Sequence, residues 1–211
     1  NPAGGLPALD VDKGVSIQIL NAAAAIDAFG IFVASVTDFD LTIAKTNIVT
    51  GNTNLGTFVN ASLVSISLTG LNAFAGAGGK LSANSVNANV VTDGAVGFSL
   101  TGGTVRVAMV KPGAVGDLRS YTGMEVGLDG AQLVGVDGLV FIARGSVVVN
   151  RAVDTAGLAS TQRIHWFSAT SATNDPNDLL PAFSERLTDA VALQIDGSAA
   201  LDVFGLVVGT A

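Results

Sequence analysis

The sequence predicts an all-β protein: a long-stranded antiparallel meander in an elongated, curved repeat architecture. Three observations predict it. Apolar residues alternate with a period of two, as in Val105-Arg106-Val107-Ala108-Met109 and Gly145-Ser146-Val147-Val148-Val149. No long segment carries a capped apolar stripe of period 3.6. The two ends of the chain also resemble each other in residue order, as expected of stacked units.

The end-to-end similarity sets the domain organisation. Asn1-Pro2 followed by Leu6-Pro7-Ala8 matches Asp175-Pro176 followed by Leu180-Pro181-Ala182, 174 residues further on. After a two-residue insertion, Val15-Ser16-Ile17-Gln18-Ile19 faces Val191-Ala192-Leu193-Gln194-Ile195. After a one-residue deletion, Ala24-Ala25-Ile26-Asp27-Ala28-Phe29-Gly30 faces Ala199-Ala200-Leu201-Asp202-Val203-Phe204-Gly205. Residues 1–174 therefore read as one complete unit and 175–211 as the start of the next, with Pro-containing junctions at 1–7 and 172–181.

Along the chain, an apolar–polar–glycine signature recurs at Ile66-Ser67-Leu68-Thr69-Gly70, Phe98-Ser99-Leu100-Thr101-Gly102 and Val126-Gly127-Leu128-Asp129-Gly130, with Ile195-Asp196-Gly197 as a shorter version. Asn72 to Gly79 is rich in small residues and reads as a turn. If strands stacked in parallel, Asn84, Asn87 and Asn89 would form a polar ladder, so a parallel β-solenoid is the alternative fold.

Lys111 to Asp117, with Pro112 and Gly113, is a loop between strands 95–110 and 119–135. Val136-Asp137-Gly138 between apolar runs 123–135 and 139–149 predicts a tight hairpin. Gly127, Gly130 and Gly145 sit inside strands, where they permit bulges and curvature. A short helical turn is expected at 181–187, with Ser184 as its cap, before a strand starting at Ala190.

Composition narrows the function classes. The chain is 49% hydrophobic and only 13% charged, against roughly 25% charged in an ordinary soluble domain. Such a chain covers its outer faces with neighbouring repeats or identical subunits, or exposes small side chains. The net charge of −7 and the scattered lysines and arginines speak against a nucleic-acid partner. Cysteine is absent, which excludes disulfides and thiolate chemistry. No apolar run approaches a membrane span. The lack of an initiator Met and of a signal peptide leads us to expect an internal fragment or a processed product.

No catalytic, cofactor-binding or metal-binding residue is assigned, and no enzyme activity is expected. His165, the single histidine, stands beside Trp166 in Arg163-Ile164-His165-Trp166-Phe167 and reads as a packing or surface residue; alternation would place it on one face with Phe167. No Gly-x-Ser-x-Gly elbow presents a serine. Glu125, Glu185 and the scattered aspartates read as solvated strand or turn residues. Asp10-Val11-Asp12 and Asn174-Asp175-Pro176-Asn177-Asp178 offer hard oxygen ligands of the kind calcium accepts, but turn chemistry at a junction accounts for them better.

Gly97 to Gly103, Met109-Val110-Lys111-Pro112, Arg119-Ser120-Tyr121 and Leu133 to Leu139 together resemble a recurrent block in giant tandemly repetitive bacterial surface proteins of adhesin-like type. The resemblance covers roughly residues 60–152. It implies an extracellular or cell-surface, adhesive or fibre-forming role, with possible contact to cell surfaces or polysaccharide, and it carries over no functional residue. The expectation is thus a structural or adhesive extracellular module. One alternative is a lipid-binding or other ligand-binding groove lined by Leu139, Phe141, Ala143, Val147 and Val149. A more remote one is a polysaccharide-active β-helix enzyme.

Overall fold

The computed structural model describes residues 14–83, 89–171 and 178–211. Its strands are β1 (Val15–Ala28), β2 (Phe32–Val49), β3 (Thr57–Ala77), β4 (Lys80–Ala83), β5 (Asn89–Thr92), β6 (Val96–Lys111), β7 (Ser120–Val134), β8 (Leu139–Val153), β9 (Ala159–Ser160), β10 (Leu193–Val203) and β11 (Val207–Thr210). One open sheet runs β1-β2-β3-β6-β7-β8-β10-β11, with β9 added at the end of β8, and β4–β5 forms a separate hairpin. Among the described residues every strand pairing is antiparallel. The all-β meander is therefore present and the parallel solenoid is excluded. The Asn ladder falls with it: Asn89 pairs with Ala83 inside a hairpin, and Asn84 and Asn87 lie outside the described residues.

The recurrent apolar–polar–glycine signature marks a line of β-bulges across the sheet. Between Leu68 and Leu71, β3 carries one more residue than β6; between Leu100 and Gly103, β6 carries one more than β3; between Leu128 and Ala131, β7 carries one more than β8. Gly70 and Gly102 adopt left-handed φ values of 67° and 64°, which a Cβ would strain. The consequence is a switch of parity along β2, β3 and β6. On β2, even residues Thr42, Ala44 and Ile48 are buried below the line, whereas above it Val33, Ala34, Ser35 and Val36 are all buried, so that odd residues join the buried set. On β3 the pattern changes from Ala61 and Leu63 to Phe74, and on β6 from Ala108 and Val110 to Ser99. One physical face thus stays inward although its sequence register slips. Of the three strand glycines expected to bend the sheet, Gly130 lies in a bulge, whereas Gly127 and Gly145 pair in regular register.

Two expected elements differ. The stretch 72–77 is the end of β3, not a turn, and the chain reverses only at Gly78-Gly79. Its small residues serve close packing: Gly76 pairs with Gly97, and a Cβ at Gly76, Gly79 or Gly97 would meet the buried Phe74 ring. At 181–187 a single turn replaces the helix. Leu187 N–H donates to Ser184 O at 3.1 Å, but Ser184 N–H is taken by Glu125 Oε2 at 2.9 Å and Phe167 N–H by Leu187 O at 3.2 Å. The Leu187 carbonyl, which a helix would pair with the N–H of residue 191, is thus taken by Phe167, while Phe183 and Leu187 are anchored in the core. The following strand starts at Leu193, after a turn in which Val191 N–H donates to Thr188 O.

The core lies where the segment after β8 folds across the lower part of one sheet face. Ile164, Trp166, Leu180, Phe183 and Leu187 pack on Ile48, Leu63, Ala108, Val110, Tyr121 and Val148. Asn150, 1% exposed, fastens this segment. Its Nδ2 donates to Ile164 O and Thr188 O, both at 2.8 Å, and its Oδ1 accepts from Trp166 Nε1 at 3.0 Å. Gly123 leaves room for the indole, since a Cβ there would lie 2.6 Å from the ring.

Candidate interaction surfaces

The sequence-predicted polar residues do not converge. His165 Nδ1 meets Ser168 Oγ at 2.8 Å, a contact across one exposed turn in which Ser168 N–H also bonds His165 O. It is not in a strand; its ring lies 6.5 Å from that of Phe167. Among the described residues no carboxylate bonds the imidazole to orient it as a catalytic base, as a triad would need. Glu125 is buried and spent on Ser184 N–H. Among the described residues no group of three or more His, Asp or Glu gathers as a metal site. Asp10, Asp12 and residues 174–177 lie outside the described residues, while Asp178 Oδ1 accepts from Ser171 and Leu180 N–H groups, ordinary turn chemistry. Among the described residues no helix is long and apolar enough to cross a membrane.

Electrostatics serve packing. Arg119 forks onto Asp117 and lies over the Phe58 ring, 5.4 Å from its centroid. The Arg119 hydrogen bonds hold the Asp117 carboxyl below its ordinary range, against the opposing effect of burial.

Two surfaces stand out instead. The first is the sheet face opposite the core. Ile19, Leu41, Ile66, Val107, Met124, Val149 and Leu193 form one continuous cross-strand row, and Phe39, Leu68, Val105, Val126, Val147 and Ile195 the next. Leu139, Phe141, Ala143, Val147 and Val149 share this face, all half-buried. At its margins Leu193 and Ile195 are 60% and 68% exposed, and the buried core cluster lies on the other side. Period-two alternation announced the face; which side would be covered was not legible, because the covering segment is irregular.

The second surface is the pair of sheet edges. Among the described residues β1 pairs only with β2, leaving its outer edge open. At the other end, β10–β11 docks on β8 in unbroken register from Leu193↔Val149 to Val203↔Leu139. The β1–β2 and β10–β11 hairpins, alike in sequence, have the same turn. Phe29 and Gly30 have φ of 58° and 66°, Phe204 and Gly205 of 54° and 67°. Gly30 N–H donates to Asp27 Oδ1 and Gly205 N–H to Asp202 Oδ1, both at 2.8 Å. A bulky aromatic in the left-handed region is uncommon, so its occurrence at both equivalent positions is specific. The one-residue difference between the copies also has a structural counterpart: β1 bulges between Ile19 and Ala22, with Asn21 at φ 53°, and β10 does not.

A comparison with protein-family models, curated proteins and solved structures returns no match.

Proposed function

We propose that this chain is a structural or adhesive module of an extracellular repeat array, without catalysis, in which successive units continue one antiparallel sheet. The observation that carries the reading is the docking of β10–β11, a second copy of the β1–β2 hairpin in sequence and turn geometry, onto β8. In an array, the last long strand of each unit would take the first strand of the next. Tandem ends, low charge and the bacterial surface-protein resemblance support the extracellular placement. Load would pass through the ladder hydrogen bonds of long strands.

With six sheet strands per unit (β1, β2, β3, β6, β7 and β8) and about 4.8 Å between strands, each unit should advance the sheet by about 29 Å. Small-angle scattering of chains of one, two and three units checks this. A maximum dimension growing by about that increment supports the array, and independent flexible beads would sink it. Adhesion is read separately, by binding to cell surfaces or polysaccharide.

The apolar face opposite the core favours a second reading, an apolar-ligand-binding sheet. Native material extracted and analysed by mass spectrometry should then yield stoichiometric lipid. Lipid-free protein discards this reading and leaves the face to protein packing.

A further inference from the structure

We infer that the outer edge of β8, with the β7–β8 turn beside it, is a docking site for a β1–β2 hairpin, that β10–β11 is its resident occupant, and that a second copy of this chain delivers its own β1–β2 hairpin to the same site. The inference rests on the equivalence of the two hairpins and adds a partner and a register to it.

The site is more than a row of backbone groups. Phe204 N–H donates to Gly138 O at 2.5 Å, and the Phe204 ring lies where a Cβ on Gly138 would stand. The equivalent aromatic of the N-terminal hairpin, Phe29, has the same left-handed backbone yet is 98% exposed, against 67% for Phe204. A strained, outward-turned phenylalanine beside a strand edge that no other described residue pairs is the free counterpart of a docked one. Open edges recruit strands, and strand addition draws affinity from the main chain and specificity from side-chain pockets.

The observed pairing fixes the register between copies. Ala199↔Ala143 and Leu201↔Phe141 translate into Ala24 and Ile26 of one copy opposite Ala143 and Phe141 of another. Ala199 exchanges its backbone bonds with Ala211, across the hairpin, so it is not hydrogen-bonded to Ala143. By alternation the N–H of Ala200 points to β8. Ala28 O likewise accepts within its own hairpin, from Ile31, which places the N–H of Ala25 on the open edge.

The test uses the full chain. Ala200→Pro weakens the resident hairpin on β8, and Ala25→Pro disables the incoming one while sparing the β1–β2 ladder. Cysteines at Ala24 of one chain and Ala143 of another would form a non-hydrogen-bonded pair with Cα atoms about 4.5 Å apart, within disulfide reach. Ile142→Cys, one residue out of register, is the control. In the Ala200→Pro background the Ala24→Cys and Ala143→Cys chains should cross-link about tenfold faster than the control pair, equivalent to about 1.4 kcal/mol, and Ala25→Pro should abolish the difference. The same preference, at lower yield, is expected in the background without proline, where folding is unperturbed. Equal cross-linking at 142 and 143 in both backgrounds, or cross-linking indifferent to Ala25→Pro, overturns the inference. A rod that lengthens with unit number but shows no register-specific cross-link keeps the array and removes the exchange; the reverse keeps the docking site and removes the array.

Discussion

Replacing Asn150 by leucine should destabilise the chain by about 4 kcal/mol. The leucine is close in volume, so the loss is not a cavity. It comes from two buried partners orphaned at once, Trp166 Nε1 and Ile164 O, each costing about 1–3 kcal/mol when left unpaired, and from the lost bond to Thr188 O, which keeps only Val191 N–H. Those partners belong to the covering segment, whereas Asn150 belongs to β8. The variant should therefore loosen the segment from the sheet before the sheet itself opens. Denaturant titration followed by tryptophan fluorescence and by far-ultraviolet dichroism would show the first signal moving to lower denaturant. A change below about 1 kcal/mol, with both signals coincident, would mean that the segment is held by its apolar contacts alone.

The second large effect is expected at Gly123. Gly123→Val places side-chain atoms where the Trp166 indole lies, and overpacking of this kind costs about 3 kcal/mol. Trp166→Ala alone should cost about 4 kcal/mol, because a fully buried aromatic is lost and a cavity remains. Together the two should cost clearly less than their sum, because the valine would occupy space the indole has left. Additive losses in a double-mutant cycle by chemical denaturation would refute the steric account of Gly123.

These two sites illustrate what could be read from residue order. The hairpin turn at 136–138 and the loop at 111–117 were legible because turn chemistry is local: Gly138 and the preceding Gly135 have φ of 77° and 76°, and proline and glycine break the ladder at 112–113. The strands themselves were legible from alternation. The stretch 72–77 misled because the same small residues that favour turns also allow two strands to close around an aromatic ring, and only the position of Phe74 distinguishes the two. The expected helix at 181–187 failed for a related reason. Its propensity was real, but Phe167, distant in sequence, claimed the Leu187 carbonyl that a helix would have paired with the N–H of residue 191.

The interaction surfaces divide in the same way. The repeated Asp-x-Phe-Gly of the two hairpins is a sequence fact, and the identical turns follow locally from it, since the aspartate carboxylate caps the glycine N–H two positions after the intervening residue pair begins to reverse. That β10–β11 occupies β8, while among the described residues β1 pairs only with β2, is not local, because it depends on which strand lies beside which.

By itself, the sequence determined that this protein is built of long antiparallel strands, where most of them turn, and that its two ends are alike. These properties arise from backbone preferences and side-chain alternation within a few residues. Only the tertiary structure decided that the glycine-marked bulges align across neighbouring strands, that an irregular segment fastened by Asn150 covers one face, and that the other face stays apolar. The deciding forces there are contacts between residues up to a hundred or more positions apart, such as Asn52 Nδ2 bonding Arg163 O and Asp189 Oδ2, and short-range patterns carry no record of them.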